Sequence, residues 1–226
     1  MTAKAEKVLF CWSGGKDSAM ALHALRQNKD ISIIGLLTTV TDDYDRISMH
    51  GVRRALLLRQ AEEIGLPLQE VRIPPQCVNP IYESRMKEAM LLQKESGVTS
   101  VAFGDIFLED LREYREQNLA LVAMKAVFPI WGRDTRELAR DFWEMGFRAV
   151  AVCIDPRKLS PEFAGRELDE AFFQDLPEGV DPCGENGEFH TFVYDGPIFS
   201  KGIAVERGEV AKRDGFYFCD LKEKMA

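Results

Sequence analysis

Apolar and polar positions along this chain fall into an alternation of strand-length and helix-length segments. Val8-Leu9-Phe10-Cys11-Trp12 is an unbroken apolar run, the pattern of a buried strand, and Ala19 to Leu25 follows it as a helix. Residues 31–40 (ISIIGLLTTV) read as a second buried strand, and residues 41–46 (TDDYDR) as a polar loop. Residues 51–64 place Val52, Ala55, Leu56, Leu58 and Ala61 on one helical face, and Gly65 ends that helix. Residues 67–73 make a third strand, stopped by Pro74-Pro75. Residues 80–96 read as a helix with Gly97 as its C-cap. Residues 98–103 are a fourth strand, residues 110–126 a helix with a charged side, and residues 128–131 a short strand. Residues 135–145 are a helix capped by Thr135 and ended by Gly146, and residues 148–154 are the sixth strand.

Continuous apolar strands separated by helices predict an α/β domain over residues 1–155, a Rossmann-like parallel sheet with helices on both faces. Ligands of such sheets bind beyond the carboxyl ends of the strands. That rule sets residues 13–18, the segment from Thr38 to Arg46, and Gly104-Asp105 along one rim. After residue 155 the rhythm changes. Residues 162–173 look helical, and residues 179–188 are a loop rich in Gly, Pro and acid. Residues 189–194, 198–207 and 209–221 read as strands, with turns at Asp195-Gly196, Arg207-Gly208 and Asp214-Gly215. Residues 156–226 are thus expected to form a smaller α+β appendage on the substrate side.

Composition narrows the function classes. The chain is 46% apolar and 29% charged, an ordinary globular mixture. No apolar run approaches the roughly 20 residues of a membrane span, and the polar residues 1–7 carry no signal-peptide pattern. A cytoplasmic protein without membrane association is expected. The net charge of −8 argues against general nucleic-acid binding. The five cysteines are scattered, without a Cys-x-x-Cys, which excludes a disulfide framework and any recognisable zinc or iron–sulfur site. Cys11 and Cys153 lie in apolar runs, as core residues do.

The richest chemistry lies at Ser13-Gly14-Gly15-Lys16-Asp17-Ser18, on the turn from the first strand to the first helix. Adjacent glycines free the backbone and leave no side chain in the way of a ligand. A helix N-terminus offers N–H groups to an anion, to which Ser13 and Ser18 add hydroxyls and Lys16 a cation. The spacing is not that of a Walker loop, because Asp17 follows Gly15-Lys16, nor of the dinucleotide fingerprint, because Gly14 and Gly15 adjoin. It resembles the Ser-Gly-Gly-x-Asp-Ser signature of the PP-loop ATP pyrophosphatases, which implies a HUP-like fold and cleavage of ATP between its α and β phosphates.

A second stretch runs from Asp181 through Pro182-Cys183-Gly184-Glu185-Asn186-Gly187-Glu188-Phe189-His190-Thr191-Phe192. By composition alone it fits a solvated acidic turn as well as a site. Together with the phosphate loop it resembles the diphthine–ammonia ligase family, as do Gly104-Asp105-Ile106 and the segment Gly165-Arg166-Glu167-Leu168-Asp169, all in matching order. The resemblance implies an ATP-dependent ligase that adenylates a carboxylate, releases pyrophosphate and transfers ammonia to give an amide and AMP. It implies ATP and Mg²⁺ as cofactors, with no metal ligands singled out. Its acceptor would be diphthine on a translation elongation factor. Ser13, Gly14, Gly15, Lys16, Asp17, Ser18, Gly104 and Asp105 would bind ATP, and Lys16, Asp17, Glu185 and Glu188 would be catalytic. Arg115, His190 and Thr191 would lie on the substrate side.

Departures from the family pattern bear on the acceptor. Asp110-Leu111-Arg112-Glu113-Tyr114-Arg115 stands for a usual Asp-Tyr-Gln-Arg-x-Arg, with Arg115 matching the last arginine. Asn186 and the pair Phe189-His190 also differ from the usual residues, and Glu-Phe-His-Thr resembles the bacterial branch, where the carboxylate acceptor would be another molecule. His23 and His50 read as structural histidines. Two other readings stay open: an RNA-thiolating relative with the same phosphate loop, and a non-catalytic adenine-nucleotide sensor.

Overall fold

The computed structural model describes residues 5–42, 46–47, 51–75 and 77–224. The first apolar run becomes strand β1 (Glu6–Cys11), and helix α1 (Lys16–Arg26) leaves its carboxyl end after a four-residue turn. Next come β2 (Ile31–Thr41), β3 (Arg46–Ile47), α2 (Arg54–Ile64), β4 (Leu68–Ile73), α3 (Asn79–Glu95), β5 (Ser100–Ala102), α4 (Glu109–Ala120) and β6 (Lys125–Val127). Five of these strands form a parallel sheet in the order β4-β2-β1-β5-β6, and β3 adds an antiparallel pairing at Val40 and Thr41. This is the Rossmann-like α/β sheet that the alternation predicts. Strand alternation sends Val8 and Phe10 to one face, with α1 and α2, and Leu9 to the other, with Ala89, Met90 and Leu119 of α3 and α4.

The rest of the chain builds a second sheet. Helix α5 (Thr135–Glu144) leads into β7 (Arg148–Ile154), then come α6 (Glu170–Gln174), β8 (Phe189–Asp195), β9 (Val205–Arg213) and β10 (Phe216–Glu223). Its order is β8-β7-β10-β9, antiparallel throughout. The sixth apolar run is therefore a strand but not a member of the parallel sheet. From Ala149 to Ile154 it is buried at every position, and that pattern reports burial, not which neighbour a strand pairs with. One continuous apolar cluster joins β1, α1, α2, β7 and β8, so the second sheet shares its core with one face of the first.

Several local expectations shift. Residues 128–131 form a turn, and the strand that pairs with β5 lies just before them, at Lys125–Val127. The helix expected at residues 162–173 is a 3-10 turn at Pro161–Phe163, a bridge from Glu167 to Val150, and the short α6. Arg207-Gly208 lies within β9, and the hairpin turns at Asp214-Gly215, both at positive φ (48° and 89°). Asp134 rather than Thr135 caps α5, accepting from the N–H groups of Arg136 and Glu137. On α2 the buried face is Leu56, Leu57, Gln60, Ala61 and Ile64, while Leu58 is 39% exposed. His50 falls outside the described residues.

Candidate active site

The turn after β1 is shaped by contacts at both of its ends. Trp12 N–H donates to Leu37 O at 2.7 Å, which ties the loop to β2. Gly14 holds φ +80°, a left-handed conformation that suits glycine. Gly15 is the N-cap of α1 and offers no side chain for capping. The hydroxyls close the loop internally: Ser18 Oγ lies 2.9 Å from Gly15 O and 3.0 Å from Ser13 Oγ. At the end of β5, a Cβ on Gly104 would stand 2.8 Å from Ser18 N, so only glycine lets this strand end approach the start of α1.

Lys16 is 1% exposed, and its ammonium pairs with the Asp17 carboxylate. Burial penalises the ammonium, but Asp17 more than offsets that and holds the Lys16 pKa above the ordinary lysine value. Burial pushes the Asp17 carboxyl up, against the pull of Lys16. Cys183 lies beside the same pair and donates its thiol to Thr135 O at 3.4 Å. Burial lifts that thiol to about 12, so it stays protonated and inert.

The second sheet supplies what the loop lacks. Lys16 N–H donates to Thr191 Oγ1 on β8 at 2.9 Å, a helix cap delivered from 175 residues away. Val193 N–H donates to Gly14 O at 2.9 Å. The loop before β8 then passes over the rim of the parallel sheet. Glu185 Oε1 accepts Ile106 N–H at 2.8 Å, and Glu185 N–H donates to Asp181 Oδ2 at 2.9 Å. Burial raises the Glu185 carboxyl to about 7, the Ile106 N–H opposes this, and the neighbouring Asp17 and Asp105 add to it. Glu188 is 3% exposed, and its Oε1 accepts from Asp181 N–H and the Asn186 amide, both at 3.2 Å. Its Oε2 is buried and has no hydrogen-bond partner.

Asp105, at the same rim, pairs with Arg115 of α4 at 2.6 Å, and the guanidinium lies over the Phe103 ring at 4.3 Å. The fold thus brings residues 13–18, Gly104, Asp105, Arg115, Glu185 and Thr191 to one place. His190 falls on the face of β8 opposite Thr191, and burial lowers its pKa. His23 sets its ring edge-on to Phe147 at 5.9 Å, a packing role. The segment from Gly165 to Asp169 serves the second sheet: Ala151 N–H donates to Arg166 O at 2.9 Å, and Asp169 caps α6. Cys183 stands in the second motif without an assigned role, and Gln60 stands outside both motifs. Gln60 carries a signal, because it is a polar residue on the apolar face of α2. Among the described residues no three His, Cys, Asp or Glu side chains gather to hold a metal ion.

An anion cradle at a helix start, faced by a carboxyl that titrates near neutrality, suits nucleotide activation followed by proton transfer. Residues 6–126 match the model of the diphthamide synthase N-terminal domain, and residues 134–225 that of the diphthamide synthase C-terminal domain. The chain belongs to the diphthamide synthase family. Curated relatives named diphthine–ammonia ligase agree. The Danio rerio protein is 28% identical over 90% of this chain and 88% of its own length. The Bos taurus protein is 26% identical over 92% of this chain and 86% of its own. The Schizosaccharomyces pombe protein is 25% identical over 96% of this chain, which spans 39% of that relative's length. No helix among the described residues is long and apolar enough to cross a membrane.

Proposed function

We propose that this protein activates a carboxylate by adenylation and then amidates it. Family membership makes the chain an ATP-dependent ligase; the course of the reaction is our reading. A carboxylate oxygen of the acceptor attacks the α phosphate, the bond to the β phosphate breaks, and pyrophosphate leaves. Ammonia then attacks the acyl-adenylate carbonyl, AMP departs, and the amide remains. The observation that carries this reading is the meeting of the two motifs: Thr191 accepts the Lys16 N–H while Glu185 accepts the Ile106 N–H over the same rim.

Ser13, Gly14, Gly15, Lys16 and Ser18 are the phosphate cradle, with Gly104 and Asp105 beside it. Glu185, with its pKa about 7, suits taking the proton that ammonium must lose to become a nucleophile. Glu188 shapes the loop that carries Glu185 and offers its buried Oε2 to a donor. Nucleotide-bound Mg²⁺ needs only one or two protein carboxylates beside the phosphates, and Asp17 is the carboxylate within the cradle. When bound, the ion would neutralise charge on the phosphates. The acceptor is diphthine on an elongation factor, or another protein or metabolite carboxylate in a host without it. The reaction belongs in the cytoplasm, where ATP is supplied. An RNA-thiolating role needs a thiolate at the phosphate cradle, and burial lifts Cys183, beside Lys16 and Asp17, to about 12.

The test incubates the protein with Mg-ATP, ammonium and a carboxylate acceptor and resolves the products by chromatography. AMP, pyrophosphate and an amidated acceptor are expected, all reduced by Lys16→Ala. ADP and phosphate as the only nucleotide products would refute adenylation.

A further inference from the structure

We infer that Gln60 is a positioning residue for the phosphate loop, locking the Gly14 peptide in the shape that receives ATP. The inference rests on the ATP-binding reading of residues 13–18. Gln60 sits on α2, outside both motifs, and is fully buried. Its carboxamide oxygen accepts the Trp12 indole N–H at 3.0 Å. Its amide nitrogen donates to Gly14 O at 3.0 Å and to Val193 O at 2.6 Å. Both amide hydrogens and the oxygen are therefore engaged, which fixes the orientation of the group.

The three partners belong to different parts of the fold: the end of β1, the phosphate loop and β8 of the second sheet. Gly14 O also accepts Val193 N–H at 2.9 Å, so Gln60 and β8 hold one peptide from two directions. That peptide carries the left-handed φ on which the direction of the next N–H groups depends. The fit is tight, since a Cβ on Gly14 would stand 2.7 Å from Gln60 Oε1. A buried carboxamide with every hydrogen engaged costs little where it is and much if a partner is lost. Packing alone would be served by leucine. Only an amide supplies one acceptor for the indole and two donors for the carbonyls.

The experiment titrates Mg-ATP by calorimetry into the folded full-length wild type and into Gln60→Leu, Gln60→Glu and Trp12→Phe. Loss of the two donors in Gln60→Leu should weaken ATP binding about tenfold. Gln60→Glu provides the readout that a purely structural role would not move. Ionised, its carboxylate opposes two carbonyl oxygens; protonated, it donates to one of them. Burial raises such a carboxyl, so its affinity relative to the wild type should be poor near about pH 8.5 and recover severalfold near about pH 6. Trp12→Phe removes the donor that orients the amide and should cost a few-fold. If Gln60→Leu does not fold, the Gln60→Glu pH series and Trp12→Phe still decide. Affinities within twofold of the wild type in the folded variants, with no relative recovery at low pH, would overturn the role of Gln60 while leaving the ATP site standing. Failure of the wild type to bind Mg-ATP would overturn both.

Discussion

Removing the charge of Glu185 should stabilise the ligand-free protein above neutral pH. Burial raises this carboxyl from the ordinary 4.5 to about 7. In the unfolded chain the group ionises first, so between those values the unfolded state holds fewer protons and stability falls as pH rises. At roughly 1.4 kcal/mol per tenfold, the full displacement corresponds to roughly 3 kcal/mol. The side chain is only half-buried, and solvent screening reduces this to about 1–2 kcal/mol. Glu185→Gln keeps an oxygen for the Ile106 N–H and removes the ionisation. Urea unfolding of both proteins should give equal stabilities below about pH 4 and a gain of about 1–2 kcal/mol for Glu185→Gln at about pH 8. A gain that is absent at the higher pH, or equal at both, would mean that the carboxyl is not held in its neutral form by burial.

Two further outcomes follow from contacts between the sheets. Thr191→Val removes the hydroxyl that accepts the Lys16 N–H and should cost about 1 kcal/mol in thermal unfolding; an unchanged midpoint would mean that water caps α1 equally well. Asp220 receives Arg53 and Arg46, and those hydrogen bonds, Arg53 first, hold its carboxyl below the ordinary value. Its contribution is present above that ordinary value and lost as pH falls through the lowered one, so Asp220→Asn should cost roughly 1–2 kcal/mol at neutral pH and less in acid. A cost independent of pH would assign the effect to packing instead.

How much of this was legible in the sequence depends on distance along the chain. The strand, turn and helix at residues 6–26 were readable because their signals are local: an apolar run, two glycines and a helical pattern. The parallel sheet was readable for the same reason, strand by strand. The sheet to which β7 belongs was not, since burial on both faces looks alike in either sheet. On α2, an apolar face drawn through Leu58 lies beside the buried one through Leu57, and it leaves out Gln60, a polar residue among buried ones. Thr191 stands on the substrate side by the resemblance, but its capping of α1 is not legible, because its partner is 175 positions away and nothing local announces a cap for another helix. The second motif is recognisable through its resemblance, and what holds it over the rim is β8 lying against the turn at Gly14.

The charges at the rim impose a condition on whatever binds there. Lys16 is paired with Asp17 and Arg115 with Asp105, so neither cation is in surplus in the ligand-free protein. Asp181 and Glu185 add further acid close by, and the Asp17 and Asp105 charges already help keep Glu185 protonated. A triphosphate entering this setting brings more negative charge into a partly buried place, where charge repulsion is felt strongly. Helix N–H groups and loop hydroxyls offset part of it. The remainder must be met by protons retained on carboxyls such as Glu185, by Lys16 turning from Asp17 to phosphate, or by a cation travelling with the nucleotide. A bare anion of small charge would need none of these, and for it the surrounding acid would be a pure cost. Carboxylates crowded around an anion cradle therefore make sense for a ligand that carries its own countercharge, and for a second substrate that arrives as a cation and leaves a proton behind.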